Sequence, residues 1–210
     1  MPLSDSRPLF PRIGVLISGR GSNLQSIIDA IAARRLAAAL AVVISNRSDA
    51  PGLQRARDAA VEALFLNPRD YADRMAYDAA IADALQSRGV TLVCLAGFMR
   101  LVGPPLLDAF PERILNIHPS LLPSFPGLDA QRQALEHGVQ VSGATVHLVT
   151  SALDDGPIVL QAPVPVLDED TVDTLSARIL VEEHRLYPEA IQIVLDGHWS
   201  VDGRRFVRRS

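Results

Sequence analysis

Ile13-Gly14-Val15-Leu16-Ile17 runs without a polar break into Ser18-Gly19-Arg20-Gly21-Ser22-Asn23, and Leu24, Ile27, Ile28 and Ile31 then recur at helical spacing. An apolar run, a glycine turn and a 3.6-residue period predict strand, tight turn and helix in succession. A strand that is apolar throughout, rather than alternating, belongs in a sheet covered on both faces. The pattern repeats outward along the chain. Leu40-Ala41-Val42-Val43-Ile44 is a second strand closed by Ser45-Asn46, Ala63-Leu64-Phe65-Leu66 a third, Val90 to Leu95 a fourth, and Ile114-Leu115 opens a fifth. Helices are expected over Leu53 to Ala60 and over Tyr71 to Ser87, the second followed by Gly89. Strand alternating with helix implies right-handed crossovers and an α/β fold with a doubly wound, mostly parallel sheet.

In such a sheet ligands gather at the carboxyl ends of the strands. Three segments fall there: Ser18 to Asn23, Gly97 to Val102, and Asn116 to Ser120. The second half of the chain changes character. Pro119 to Gly127 is a proline-rich loop, and Leu128 to His137 a helix stopped by Gly138. Ala144, Val146 and Leu148 alternate with Thr145, His147 and Val149, which reads as a half-exposed strand, with Ile158 to Val166 as its partner. A long helix is expected over about Thr171 to Leu195, closed by Gly197 and open to a kink at Pro188. Trp199 to Val207 carries Asp202-Gly203, a hairpin signal.

The chain has 210 residues, of which 48% are apolar, enough for one sizeable core and short for two. The expectation is a single domain over 1–210, with 1–11 as an N-terminal extension and 199–210 as a C-terminal hairpin or tail. A net charge of −4 leaves no global basic field for nucleic acid or an anionic membrane, so an anionic ligand needs a local site. Cys94 is the lone cysteine and sits in the apolar Leu92-Val93-Cys94-Leu95-Ala96, as a small buried hydrophobe. Disulfides and thiolate metal clusters are thereby excluded. The histidines lack the spacing of a metal site, and no metal is expected. Neither a signal core nor a spanning run is present, and a cytoplasmic location is the expectation.

The turn Gly19 to Asn23 aims free backbone N–H groups and the positive end of a helix at one spot. Ser22 and Asn23 add short polar side chains. Read alone, it is either a phosphate cradle or a plain turn with Ser22 or Asn23 as cap. It lacks the third glycine of a dinucleotide fingerprint, because Leu24 stands there. In Asn116-Ile117-His118-Pro119-Ser120, Asn116 and His118 share one side of a strand end. An amide donor beside an imidazole suits acyl transfer, which needs an oxyanion partner and a proton carrier. Leu153-Asp154-Asp155-Gly156-Pro157 is turn chemistry, or else supplies a carboxylate that raises the pKa of His118. Glu182-Glu183-His184-Arg185 reads most simply as a solvated helix face, and His137, His147 and His198 as peripheral.

Taken in order, these motifs resemble the phosphoribosylglycinamide formyltransferase family. The matching stretches are Val15 to Leu24, Leu95 to Arg100, Leu115 to Pro123, Phe125 to Leu128, Arg132 to Leu135 and Leu153 to Leu160, so the likeness spans about Ile13 to Gly197. The resemblance implies a Rossmann-like formyltransferase fold and transfer of a formyl group from 10-formyltetrahydrofolate to the amine of glycinamide ribonucleotide, a step of purine biosynthesis and one-carbon metabolism. It implies that Gly21, Ser22, Asn23 and Glu183 hold the ribonucleotide, which replaces the solvated reading of Glu183. It implies that Arg74, Met99, Arg100, Leu101, Val102 and Asn116 meet the folate, with 149–154 around its pterin. Asn116, His118 and Asp154 would be catalytic. Two features depart from the family pattern: Asp129 and Gln131 stand where histidines are frequent, and Asp155 where glycine is common. The small-molecule partners would be the folate and the ribonucleotide, the state monomer or homodimer.

Two related chemistries compete. A 10-formyltetrahydrofolate hydrolase uses water as acceptor and is expected to lack the phosphate cradle and to carry an added N-terminal domain. A formyltransferase of methionyl-tRNA is expected to carry a basic C-terminal domain, whereas this chain is net acidic.

Overall fold

The structure is a computed structural model and describes residues 10–209. The extension expected over 1–11 lies outside the described residues apart from Phe10 and Pro11. Among the described residues, nine strands form one sheet: β1 (Arg12–Ile17), β2 (Ala39–Ser45), β3 (Glu62–Phe65), β4 (Leu92–Leu95), β5 (Ile114–His118), β6 (Val141–Leu148), β7 (Ile158–Pro165), β8 (Trp199–Asp202) and β9 (Arg205–Arg208). Their spatial order is β3-β2-β1-β4-β5-β6-β7-β9-β8. The first five are parallel, as the continuous apolar runs require, and β6 and β7 continue the sheet antiparallel. The order reverses between β1 and β4, which opens a crevice at their carboxyl ends.

Alternation along each strand divides the core into two layers. On one face Val15, Ile17, Val43, Cys94 and Leu115 pack under α1 (Ser22–Ala32), α2 (Pro51–Asp58) and α6 (Val172–Asp196). On the other, Leu16, Ile44, Val93 and Ile114 pack under α3 (Arg74–Gln86) and α4 (Pro104–Ala109). Leu24 and Ile27 of α1 are fully buried, which stabilises the fold by roughly 1.5–3 kcal/mol for each. Gly14 leaves room for this packing, since a Cβ there would lie 2.4 Å from a Leu85 methyl carbon of α3 and force that side chain to move.

The expected helices shift at their ends for local reasons. α2 begins earlier, with Pro51 in its first turn, where no N–H is needed. α3 begins at Arg74 because the Asp73 side chain accepts from the Ala76 N–H at 2.8 Å. The helix expected over Leu128 to His137 is shorter, α5 (Ala130–Glu136), after a left-handed Asp129. α4 was not foreseen; it starts at Pro104, which occupies the tolerated first helical position. α6 runs unbroken through Pro188.

One expectation fails outright. β6 is not half-exposed, because all its residues but Val141 are buried. Ala144, Val146 and Leu148 face α6, as expected for its apolar side. The other side is roofed by the proline-rich loop, in which Thr145 Oγ1 donates to the Ser120 carbonyl at 2.6 Å and accepts from the Leu122 N–H at 3.1 Å. Polar residues on that side are therefore site walls rather than solvated surface.

Candidate active site

The crevice is built from strand ends that hold one another. Ser18, just past β1, is buried; its N–H donates to the Gly97 carbonyl at 3.0 Å. Its hydroxyl donates to Asn46 Oδ1 at 2.6 Å and accepts from the Met99 N–H at 2.8 Å. One hydroxyl thus ties the turn before α1 to the 97–102 segment after β4. Nothing in the sequence marked Ser18 beyond its place at a strand end.

Gly21, not Ser22 or Asn23, is the N-cap of α1; it has φ 70 and no side chain caps that end. A side chain at Gly21 is excluded, since its Cβ would lie 2.8 Å from the Gly52 Cα. The first turn of α1 consequently presents its N–H groups without a competing cap. Asn23 turns inward and its amide donates to Glu183 Oε2 at 2.7 Å across from α6, while its own Oδ1 is buried without a partner. Burial raises the Glu183 carboxyl above its usual range, against the pull of the Asn23 amide. The helix face 182–185 is thus split: Glu182 and Arg185 pair outward at 2.8 Å, and Glu183 is buried.

At the end of β5, Asn116 and His118 face the same way, and the antiparallel register sets His147 of β6 directly opposite Asn116. Asp154 closes the group. Its carboxylate lies 3.4 Å from His118 Nδ1 and 3.6 Å from His147 Nε2, and it accepts from the Gly127 N–H at 2.8 Å and from Asn116 Nδ2 at 3.4 Å. The His147 Nδ1–H donates to the Leu148 carbonyl at 2.9 Å, which leaves Nε2 to accept from Asn116 Nδ2 at 3.1 Å. His147, read as peripheral, is 2% exposed and belongs to the site. The register of β5 and β6 was the missing signal.

His118 Nε2–H donates to the Phe125 carbonyl at 2.8 Å. Nδ1 therefore carries a proton only in the imidazolium, where it points at Asp154. The expected rise in the His118 pKa does not appear. Burial holds it below its ordinary value, although the Phe125 carbonyl and the Asp154 charge pull upward. Asp154 shows the reverse balance. Burial pushes its carboxyl up, but the adjacent His147 and His118 rings and the bond from the Gly127 N–H keep it below the usual carboxylate range.

Beside this group lies a cavity of about 530 Å³. Arg74, Arg100, Leu101 and Val102 line it, with Asn116, His147 and residues 149–154. Met99 is not among its walls; its side chain is exposed and its N–H is spent on Ser18. Gly21, Ser22, Asn23 and Glu183 also lie outside the walls. Asp78 of α3, unnoticed in the sequence, is buried and accepts from the Gly103 N–H at 2.7 Å, which fixes the far end of the 97–103 segment. The Arg100 guanidinium lies 5.1 Å from the Tyr77 ring centre. Apolar walls carrying two guanidinium groups fit a flat ring system with an anionic tail. Among the described residues, no group of three or more His, Cys, Asp or Glu side chains stands together to hold a metal ion.

A doubly wound sheet with an Asn-His-Asp group at its carboxyl edge defines a class. The family model described as formyl transferase matches residues 11–191. The chain is 60% identical to the glycinamide ribonucleotide transformylase 1 of Symbiobacterium toebii, with a TM-score of 0.95 over 97% of this chain and 96% of that one. It is 45% identical to the phosphoribosylglycinamide formyltransferase of Escherichia coli, over 91% of this chain and 88% of that protein. The chain belongs to the formyl transferase family, and within it to the phosphoribosylglycinamide formyltransferases. It also matches the trifunctional purine biosynthetic protein adenosine-3 of Bos taurus at 44% identity over 91% of this chain, and spans 19% of that protein's length. No helix among the described residues is long and apolar enough to cross a membrane.

Proposed function

We propose that this chain transfers the formyl group of 10-formyltetrahydrofolate to the amine of glycinamide ribonucleotide, giving formylglycinamide ribonucleotide and tetrahydrofolate. The observation that carries this reading is the convergence of Asn116, His118 and Asp154 beside an arginine-bearing cavity, with a separate anion-ready helix end at Gly21. The backbone N–H groups at Gly21, Ser22 and Asn23, together with the Ser22 hydroxyl, receive the ribonucleotide phosphate, and Glu183, held by Asn23, meets its sugar. Arg74 and Arg100 hold the folate carboxylates. Leu101, Val102 and 149–154 enclose its rings, and the Met99 backbone positions that segment.

Asn116 is already engaged with His147 at 3.1 Å, and more loosely with Asp154 at 3.4 Å. The looser N–H is free to turn to a substrate oxygen. As the amine attacks the formyl carbon, this N–H meets the oxyanion of the tetrahedral intermediate. His118, neutral before attack because burial lowers its pKa, takes a proton from the attacking amine. Asp154 stabilises the imidazolium so formed, and His118 returns the proton to the departing folate nitrogen as the C–N bond breaks. Formyl passes between substrates without a covalent enzyme intermediate and without a metal.

A single formyltransferase domain is supported by the one continuous sheet, and a cytoplasmic monomer or homodimer fits the acidic, cysteine-poor chain. The test is the absorbance change of 10-formyltetrahydrofolate with and without glycinamide ribonucleotide. Turnover that requires the ribonucleotide is the expected result; equal turnover without it assigns the chain as a 10-formyltetrahydrofolate hydrolase.

A further inference from the structure

Asp155 follows Asp154 directly and takes no part in the chemistry above. Its carboxylate accepts from both terminal nitrogens of Arg204, at 2.7 and 2.6 Å, a two-point planar contact. Arg204 lies in the turn between β8 and β9, and β9 joins the main sheet through the pair Ile158 and Arg205. Both ends of the contact are therefore anchored by their neighbours in sequence. The 149–157 loop is closed at its base by the Leu148 N–H donating to the Pro157 carbonyl at 2.9 Å. Gly156 can carry no side chain, because its Cβ would meet the Leu148 carbonyl. Asp154 itself sits at φ 49, a left-handed conformation that a residue with a side chain adopts only when its surroundings impose it. Inward contacts reach the Asp154 carboxylate from β5, β6 and Gly127; the outward contact is made one residue later, by Asp155.

We propose that the Asp155–Arg204 pair is a positioning latch, by which the C-terminal hairpin holds the 149–157 loop so that Asp154 faces His118 and the loop forms the folate wall. The inference rests on the function proposed above and extends it to a part of the chain outside the reaction centre. Arg204 and Asp155 are substantially exposed, so the latch is one that salt loosens.

The test uses the whole chain in steady-state assays with 10-formyltetrahydrofolate and glycinamide ribonucleotide. Asp155→Asn and Arg204→Gln are each expected to raise the folate KM and to lower kcat, each by about twofold to fivefold, the range of a partly exposed ion pair, and to leave the ribonucleotide KM unmoved. The double variant should be no worse than either single one, since both remove the same contact. Raising ionic strength to about 0.5 M should narrow the ratio of folate KM between each variant and the wild type, since only the wild type has the latch to lose. Wild-type values in both single variants, multiplicative losses in the double, or equal movement of both KM values overturns the latch. Absence of any wild-type turnover contradicts the proposed function instead. Hydrogen exchange of residues 149–157 then decides the latch alone: it should quicken in either single variant, and unchanged exchange overturns it.

Discussion

At the scale of single residues, Asp154 is the group on which the site turns. It touches His118, His147, Asn116 and the Gly127 N–H at once, so replacing it changes the electrostatics of all of them. Asp154→Asn is expected to lower kcat by about a hundredfold or more, on the scale of a lost acid–base partner, with substrate KM values nearly kept. The sign of the pH effect follows from the charge. Asp154 pulls the His118 pKa upward, so its loss lets burial lower that pKa further, and the histidine limb of the pH–rate profile should move to lower pH. An unmoved limb separates Asp154 from His118. His147→Ala should cost kcat about tenfold by freeing the Asn116 amide from its partner, measured in the same assay. Asn116 and His118 could be paired from the sequence because they share a strand end, whereas the 153–157 turn offered two acids or no role at all, and only the family resemblance pointed to Asp154. His147 was not legible. Its alternation with apolar residues spoke for a wetted strand face, and only the antiparallel register with β5 and the roof of the proline-rich loop reverse that.

Among elements, β1, its turn and α1 form the unit from which the fold could be read, and it is also the most constrained. Gly21 combines a positive φ with the Gly52 backbone pressed against its Cβ position. Gly21→Ala should destabilise the chain by about 1–3 kcal/mol, read from denaturant midpoints, and raise the ribonucleotide KM. Ser22→Ala should raise that KM without the stability loss; an effect confined to the folate KM would contradict the phosphate assignment. β1, β2, β4 and β5 were plain in the sequence because both their faces are covered, whereas β3, at the sheet edge, is partly exposed and was marked by its short apolar run alone. α4 and the true start of α3 were not plain, since their limits depend on Pro104 and on the Asp73 cap. The crossings between elements were equally hidden. Tyr187 of α6 bridges two strand ends, its hydroxyl 2.9 Å from the Leu95 carbonyl and 3.1 Å from that of Leu115. Tyr187→Phe leaves those carbonyls short of a donor and should cost about 1–2 kcal/mol of unfolding free energy.

For the molecule as a whole, two buried groups couple stability to pH in the same direction. His118 has a folded pKa below its ordinary value, so the stability tied to its neutral form is complete above about pH 6.5 and is lost as pH falls toward the folded pKa. Asp154 has a depressed carboxyl, so its contribution is present above about pH 4 and is lost as pH falls below that. Glu183, whose carboxyl burial raises, acts in the opposite sense, so the His118 part is read as a difference: the wild type should lose more unfolding free energy than His118→Gln between pH 7 and 5, and equal slopes would remove His118 from the linkage. The sheet brings the parts of the site together from across the chain: Asn23 to Glu183, Ser18 to Met99, Asp154 to His118. That convergence is what makes a glycine turn and a strand-end histidine parts of the proposed two-substrate site. The most direct test of it follows the formyl carbon itself. With 13C-labelled formyl on the folate, the label should appear on the amine of glycinamide ribonucleotide, one per tetrahydrofolate released. Label recovered as free formate, with the ribonucleotide unchanged, would contradict the assignment.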